Sequence, residues 1–354
     1  MRIFGLPLIL VLLFGLSTLV LVSVAPELVN RHIVFGLVGL MTFFALARLS
    51  PVLLQKWAVA GYILSITLLV LVLLISTQTR STARWIDLFG LVTIQPSQLA
   101  MTLCGWWFVQ LCFRLKTKKL KHTLILVGSA LLPAGLIFLQ PDLGSTVAFL
   151  TPLLITIFLA GLPKKQIVIL SVLALLMMAV AWQFGLKTYQ KERLLVFISP
   201  GTGLAQPHYN ARQALLAIGS GQIWGRGPGQ GIQSQYQFLP EKHTDFIFAA
   251  YSEEYGLVGC VFLLALYSGL MIYLFNLART NQDNAYGLWF GLLFAGLLVQ
   301  TSINIGANLG LLPITGIPLP LFSSGGTALL GWFVALGIAQ NRIWHSQARP
   351  FHIG

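Results

Sequence analysis

Charge is what this sequence has least of. Of 354 residues only 9% are Asp, Glu, Lys or Arg, against about 25% in soluble globular chains, so the charged skin of a water-soluble fold is missing. Acids are scarcest: nine, against 22 Lys and Arg, for a net charge of +13. Cysteine is rare too. Cys104, Cys112 and Cys260 are too few and too scattered for a disulfide or zinc framework, and they read as small residues within apolar runs. No phosphate-binding P-loop is present, because the Gly-rich run 219–231 follows no strand and no Gly-Lys-Ser comes after it. What is abundant is apolar side chain, 56% of residues with a mean hydropathy of +0.83. That excludes a disordered, collagen-like or disulfide-rich secreted chain.

A hydrocarbon core about 30 Å thick takes about 20 apolar helical residues. By that measure the chain holds ten apolar segments, 3–25, 33–49, 57–76, 98–114, 122–140, 143–161, 166–186, 246–276, 284–305 and 326–341, of which the second, fourth and last are short. The first is too long for a signal peptide and lacks a small-residue cleavage site, so it reads as a retained span. The expectation is one all-α polytopic membrane domain over 1–354 with ten transmembrane helices. Cytoplasmic loops retain Lys and Arg. Placing both termini in the cytoplasm puts 13 basic residues and the single acid Asp283 there, and leaves the other eight acids outside. The basic cluster 114–121 then meets anionic lipid headgroups, and with no soluble domain to present it, nucleic acid is not expected as a partner.

The longest connection, 187–245, falls on the outer side between the seventh and eighth spans and carries six of the nine outer Lys and Arg. Loops beyond about 15 residues are usually functional or disordered. Its low charge and interleaved apolar residues favour a folded lid with short interfacial helices.

Four polar segments face the same side. Asp245 closes the run Pro240 to Asp245 and abuts the next apolar stretch, where it is either a helix N-cap or a base, with Glu241, Lys242 and His243 beside it. Asp142 sits in the break 140–144 between two spans, as an N-cap or a site residue. Arg84 and Trp85 suit either an interfacial anchor or an anionic headgroup next to a lipid chain, and Gln95 to Gln98 follow them. The fourth segment runs from Asn304 and Asn308 through the Pro-rich stretch 312–320 to 323–326; such irregular backbone is tolerated near a membrane only under protein or around a water-filled cavity. Cations converging with few acids suit an anionic, lipid-borne substrate. The scarcity of carboxylates and His within the spans speaks against a proton-driven pump.

These segments resemble, over nearly the whole chain, the SEDS family of bacterial cell-wall proteins, which includes RodA and FtsW. The resemblance is carried by Arg84 to Ile86, Gln95 to Ser97, Gln140 to Gly144, Tyr189 and Gln190 with Arg193, Gln213 to Gly221, Leu239 to Phe248, Glu253 and Glu254 with Gly256, and Gly310 to Pro320. The lead-in 231–235 is closer to the RodA branch. The resemblance implies a peptidoglycan glycosyltransferase of the bacterial cytoplasmic membrane that polymerises lipid II at its outer face for cell elongation and shape, with a class B penicillin-binding protein as partner. It places Asp245 on the family's essential acid and implies a divalent cation, Mg²⁺ or Mn²⁺, whose ligands are not identified.

On this reading Asp245 takes the proton of the acceptor hydroxyl, while Arg84, Arg193, Lys242 or the cation meets the leaving diphosphate. Trp85, Gln98, Asp142 and His243 complete the expected substrate contacts. The chain departs from the family at Gln98, where a Glu is usual, which puts the cation in question because hard cations prefer carboxylates. It also departs at Asn308 in place of Met and at Ser324 in place of Tyr. Two other functions fit the same lipid-binding surface: a lipid II flippase, and a non-catalytic scaffold for the penicillin-binding protein.

Overall fold

The computed structural model describes residues 2–75, 84–88, 92–115, 119–188, 190–192, 195, 205–236 and 238–347. Among the described residues ten helices lie over the ten apolar segments: α1 Arg2–Val24, α2 Pro26–Arg48, α3 Pro51–Ile75, α4 Pro96–Leu115, α5 Leu120–Leu139, α6 Leu143–Leu159, α7 Lys164–Val180, and, after the long connection, α10 Ile247–Thr280, α11 Ala285–Asn308 and α12 Gly326–Gln347. The connection itself contains α8 Ala205–Gly221 and the short α9 Ile232–Gln235. Three helices open on proline, at Pro26, Pro51 and Pro96, where its missing N–H has no partner to lose.

Two features depart from the expectation. Strands β1 Ile86–Leu88 and β2 Val92–Ile94 form an antiparallel hairpin pairing Ile86 with Ile94 and Asp87 with Thr93, a small exception to an all-α chain in which four of the six strand residues, Ile86, Val92, Thr93 and Ile94, are β-branched. The second helix begins at Pro26, seven residues before the apolar segment. Its first turns carry Glu27, Asn30, Arg31 and His32 and so escape a hydropathy scan.

Seven of the described helices are long and apolar enough to cross a membrane, and α6 is a shorter apolar helix. Helices α4 and α12 fall below that hydropathy for a physical reason: they stand inside the bundle, facing protein. Buried Ser97, Gln98, Thr102 and Gln110 lie on α4, and buried Thr327, Gln340 and Asn341 on α12. Polar side chains are tolerated at such depth when they face the bundle interior. Helix α12 packs against α2 and α4, α3 against α4, and α11 against α6 and α10. At the α2–α12 seam Gly39 lies under Phe333 and Gly326 under Phe35, each too close for a Cβ, the close approach that small residues permit.

Helix α10 is broken at Gly256, with φ 63° and ψ −162°. The Gly-rich run inserts at the break. Arg226 N and Gly227 N donate to Glu253 O and Glu254 O at 2.9 Å each, and Leu257 N and Val258 N donate to Gln222 O and Ile223 O at 2.8 and 3.1 Å. The carboxylate of Glu253, fully buried, accepts from Gln233 N and Ser234 N at 2.8 and 3.0 Å and so holds the start of α9. Backbone groups freed by a broken helix must find partners within the protein, and this insertion supplies them.

Candidate active site

The site is built around a turn. Thr244 N and Asp245 N both donate to Glu241 O at 3.1 Å, and α10 then begins with Phe246, rather than Asp245, at its N-cap. Carbonyls anchor the turn from below. Asp245 O accepts from Asn304 Nδ2 and Asn308 Nδ2 at 3.1 and 2.9 Å, Thr244 O from Ser323 Oγ at 2.8 Å, and His243 O from Ser324 N at 3.0 Å. Asn308 also accepts from Ala249 N at 3.1 Å, so the unusual Asn at this position ties the end of α11 to the start of α10. With its backbone held this way, Asp245 lines a cavity of about 640 Å³ at the end of the bundle that the charge pattern assigns outward, the outer cavity. Gly316, at φ 77°, lies opposite: a Cβ built there would stand 3.5 Å from Asp245 Oδ2.

Arg84, Trp85, His243 and Glu241 line the same cavity. The Arg84 guanidinium is oriented from behind by the 140–142 break. Its Nε donates to Gln140 O at 3.3 Å, one Nη donates to Pro141 O, and the other lies 3.6 Å from Asp142 Oδ1. Asp142 is the N-cap of α6, accepting from Ser145 N at 3.0 Å, and it also accepts from Gln95 Nε2 at 3.3 Å. Trp85 is 44% exposed, an amphipathic ring at the rim. Burial, the dominant influence, pulls the His243 imidazole below its usual range against the opposing pull of Glu241 and Glu27. Its Nε2 lies 3.7 Å from Glu241 Oε2, too far for a hydrogen bond.

Three other candidates lie elsewhere. Gln98 is buried and lines a separate cavity inside the bundle. Asp142 is buried behind Arg84 and does not line the outer cavity. Lys242 turns its ammonium to Ser234 O. Arg193 lies outside the described residues. One cation that the motifs passed over is in the wall: Arg31, exposed on the first turns of α2, donates to Thr93 Oγ1 at 2.7 Å and has no carboxylate partner among the described residues. The signal for it was its place as a lone Arg just before the second apolar segment. Thr93, Gln95, Thr315 and Thr327 add neutral polar groups to the lining.

The sequence model of FtsW, RodA and SpoVE, described as cell cycle protein, matches residues 2–347. The chain belongs to the FtsW/RodA/SpoVE family. Its RodA-like character appears in a 35% identity over 338 residues with the peptidoglycan glycosyltransferase MrdB of Escherichia coli K12, covering 94% of this chain and 91% of that one. The MrdB of Helicobacter pylori is 30% identical over 341 residues, covering 93% and 86%. Among solved structures, the RodA of Thermus thermophilus superposes with a TM-score of 0.72 at 27% identity. A chain from a peptidoglycan synthase complex coordinating polymerization and crosslinking reaches 0.82 at 30%; in both cases 98% of each chain is covered.

The family resemblance carries with it a divalent cation; the carboxylates that line the cavity and could hold one are Asp245 and Glu241, since Mg²⁺ is commonly bound by one or two carboxylates together with substrate phosphates. Among the described residues no group of three or more His, Cys, Asp or Glu gathers around a common point. Asp142 is already engaged by Ser145, Gln95 and Arg84, and the neutral Gln98 lies in another cavity. Hard cations are held by oxygen ligands, carboxylates above all.

Proposed function

We propose that this protein is a peptidoglycan glycosyltransferase that polymerises lipid II at the outer face of the bacterial cytoplasmic membrane, serving cell elongation and shape. The observation that carries this reading is the convergence of Asp245 with Arg84, Arg31 and Trp85 on one cavity: a carboxylate and two guanidiniums around a space open to a lipid-linked sugar. The acceptor's sugar 4-hydroxyl transfers its proton to Asp245 as its oxygen attacks the anomeric carbon of the growing chain. The bond from that carbon to the undecaprenyl diphosphate breaks, and the charge left on the diphosphate faces Arg84 and Arg31. One displacement turns an α-linked donor into a β-linked product. No acid is needed for the leaving group, unlike the paired carboxylates of glycosidases, and no step runs through a metal ion.

In this reading all ten long helices cross the membrane and both termini are cytoplasmic. It is supported by the meeting of loops assigned to one side: Asn341 Nδ2 donates to Leu46 O and Leu49 O at 2.9 and 2.7 Å, and Arg342 Nε to Asn281 Oδ1 at 3.0 Å. A class B penicillin-binding protein is the partner, a reading supported by the likeness to a chain of a peptidoglycan synthase complex.

The test is polymerisation of lipid II by the purified protein with its penicillin-binding protein, with and without a chelator. Asp245→Asn is expected to lower the rate about 10²–10⁴-fold, the usual worth of a general base, and to leave the fold intact because Asn304 and Asn308 hold the backbone carbonyl and not the carboxylate. Undiminished polymerisation overturns the role of Asp245. Lipid II crossing the membrane with no polymer formed would indicate a flippase, and cell shape sustained by Asp245→Ala a scaffold.

A further inference from the structure

A second cavity lies within the bundle, between α4, α6, α11 and α12, with a volume of about 50 Å³. Most of its wall is apolar, but one part is not: Gln98 and Thr102 of α4 and Gln300 of α11 line it together. Gln98 is 7% exposed, and its side-chain amide has no hydrogen-bond partner among the described residues. Thr102 Oγ1 donates to Gly331 O at 2.8 Å and keeps lone pairs to accept with. Gln300 accepts from Trp332 Nε1 at 3.1 Å, while its own amide reaches only the sulfur of Met101 at 3.0 Å, a weak acceptor. Beside these residues the hydroxyls of Ser97 and Thr301 are buried without a partner. A buried amide left unmatched costs about 1–3 kcal/mol, so this seam is a place the protein's own groups do not satisfy.

We infer that this cavity is an intramembrane water site, in which a small cluster of ordered waters bridges Gln98, Thr102 and Gln300. A water takes about 30 Å³ and needs two to four polar partners, so the space suffices for about two molecules, gathered at the Gln98 end. No cationic or acidic side chain lines it, which makes the neutral amide at position 98 the fitting residue: a carboxylate there would have no cation to pair with. The site also has a place in the architecture. Gln300, Asn304 and Asn308 follow one another at intervals of four along α11, and the last two hold the Asp245 turn. The waters therefore tie α4 to the helix whose Asn304 and Asn308 hold the Asp245 turn, at its next polar step inward. This goes beyond the glycosyltransferase reading and does not depend on it.

Hydroxyl radicals generated by a synchrotron X-ray pulse label side chains that touch bound water, even deeply buried ones. The full chain in detergent is exposed and the labels are mapped by mass spectrometry. Phe149 and Trp332 line the cavity, whereas Phe108 and Trp106 are buried away from it. The cavity pair is expected to be labelled several-fold faster than the matched pair, and Gln98→Leu is expected to remove the difference. Should that variant fail to fold, Thr102→Val, which removes one water partner with little change in volume, is expected to reduce it. Equal labelling of the two pairs in the unmodified protein, or an undiminished difference in a folded variant, overturns the inference.

Discussion

Asp142 does two things at once: it caps α6 and it backs Arg84. Substitution separates them. Asn caps a helix as well as Asp does, whereas Ala loses about 1 kcal/mol, so Asp142→Asn should unfold in detergent near the temperature of the unmodified protein and Asp142→Ala measurably below it. Both remove the charge that orients Arg84, and both should slow lipid II polymerisation. A variant that loses activity only when it loses stability would reduce Asp142 to a cap. His243 makes a separate prediction. Its folded form resists protonation, so below the ordinary imidazole value of about 6.5 the unfolded chain binds more protons and stability falls with the pH. The contribution is fully present above that value. Thermal unfolding at pH 7.5 and 5.5 should therefore show a loss on acidification that His243→Gln lessens. The residue scale is also where the sequence was least legible. Lys242 is three positions from Asp245 and Gln98 three from Gln95, yet neither lines the outer cavity, while Arg31, far away in the chain, does. Adjacency along a turn does not say which way a side chain leaves it, and Lys242 leaves toward Ser234.

At the scale of the element, most of the helices were readable because they are long apolar runs, for which length and composition suffice; α4 and α12, which carry buried polar side chains, stood out less. Their irregularities were not. Hydropathy cannot see that α2 extends through Glu27 and Arg31, that three-residue strands pair across 86–94, or that α10 breaks in the middle of an apolar stretch. The break depends on Gly256. Its backbone lies in a region open essentially to glycine alone, and a Cβ there would stand 2.3 Å from Gly225 N and 2.6 Å from Ile223 O. Gly256→Ala thus meets a conformational cost of about 1–3 kcal/mol, with the steric clash in addition. The expected result is a lower unfolding temperature together with faster proteolysis of the 219–231 run, since that run is held by the α10 backbone on either side of the break. A variant as stable as the unmodified protein would show that the insertion tolerates an unbroken α10.

For the molecule as a whole, the arrangement of charge and the arrangement of contacts point the same way. The carbonyls at the end of α2, the Asn281 turn and the last turns of α12 meet at one end through Asn341 and Arg342; Arg31, Arg84 and Asp245 meet in the outer cavity. The assignment made from the sequence gives the first side thirteen basic residues and one acid, and the tendency of Lys and Arg to stay in the cytoplasm is the ground for proposing that side as the cytoplasmic one. The three native cysteines are buried, which leaves a quiet background for labelling. A membrane-impermeant maleimide applied to intact spheroplasts should therefore modify Gln230→Cys, on the exposed Gly-rich run, and should reach Lys121→Cys, at the exposed start of α5, only after permeabilisation. The reverse pattern would place the Asp245 cavity on the cytoplasmic face, where a polymer destined for the cell wall could not be delivered, and the glycosyltransferase reading would fall with the topology.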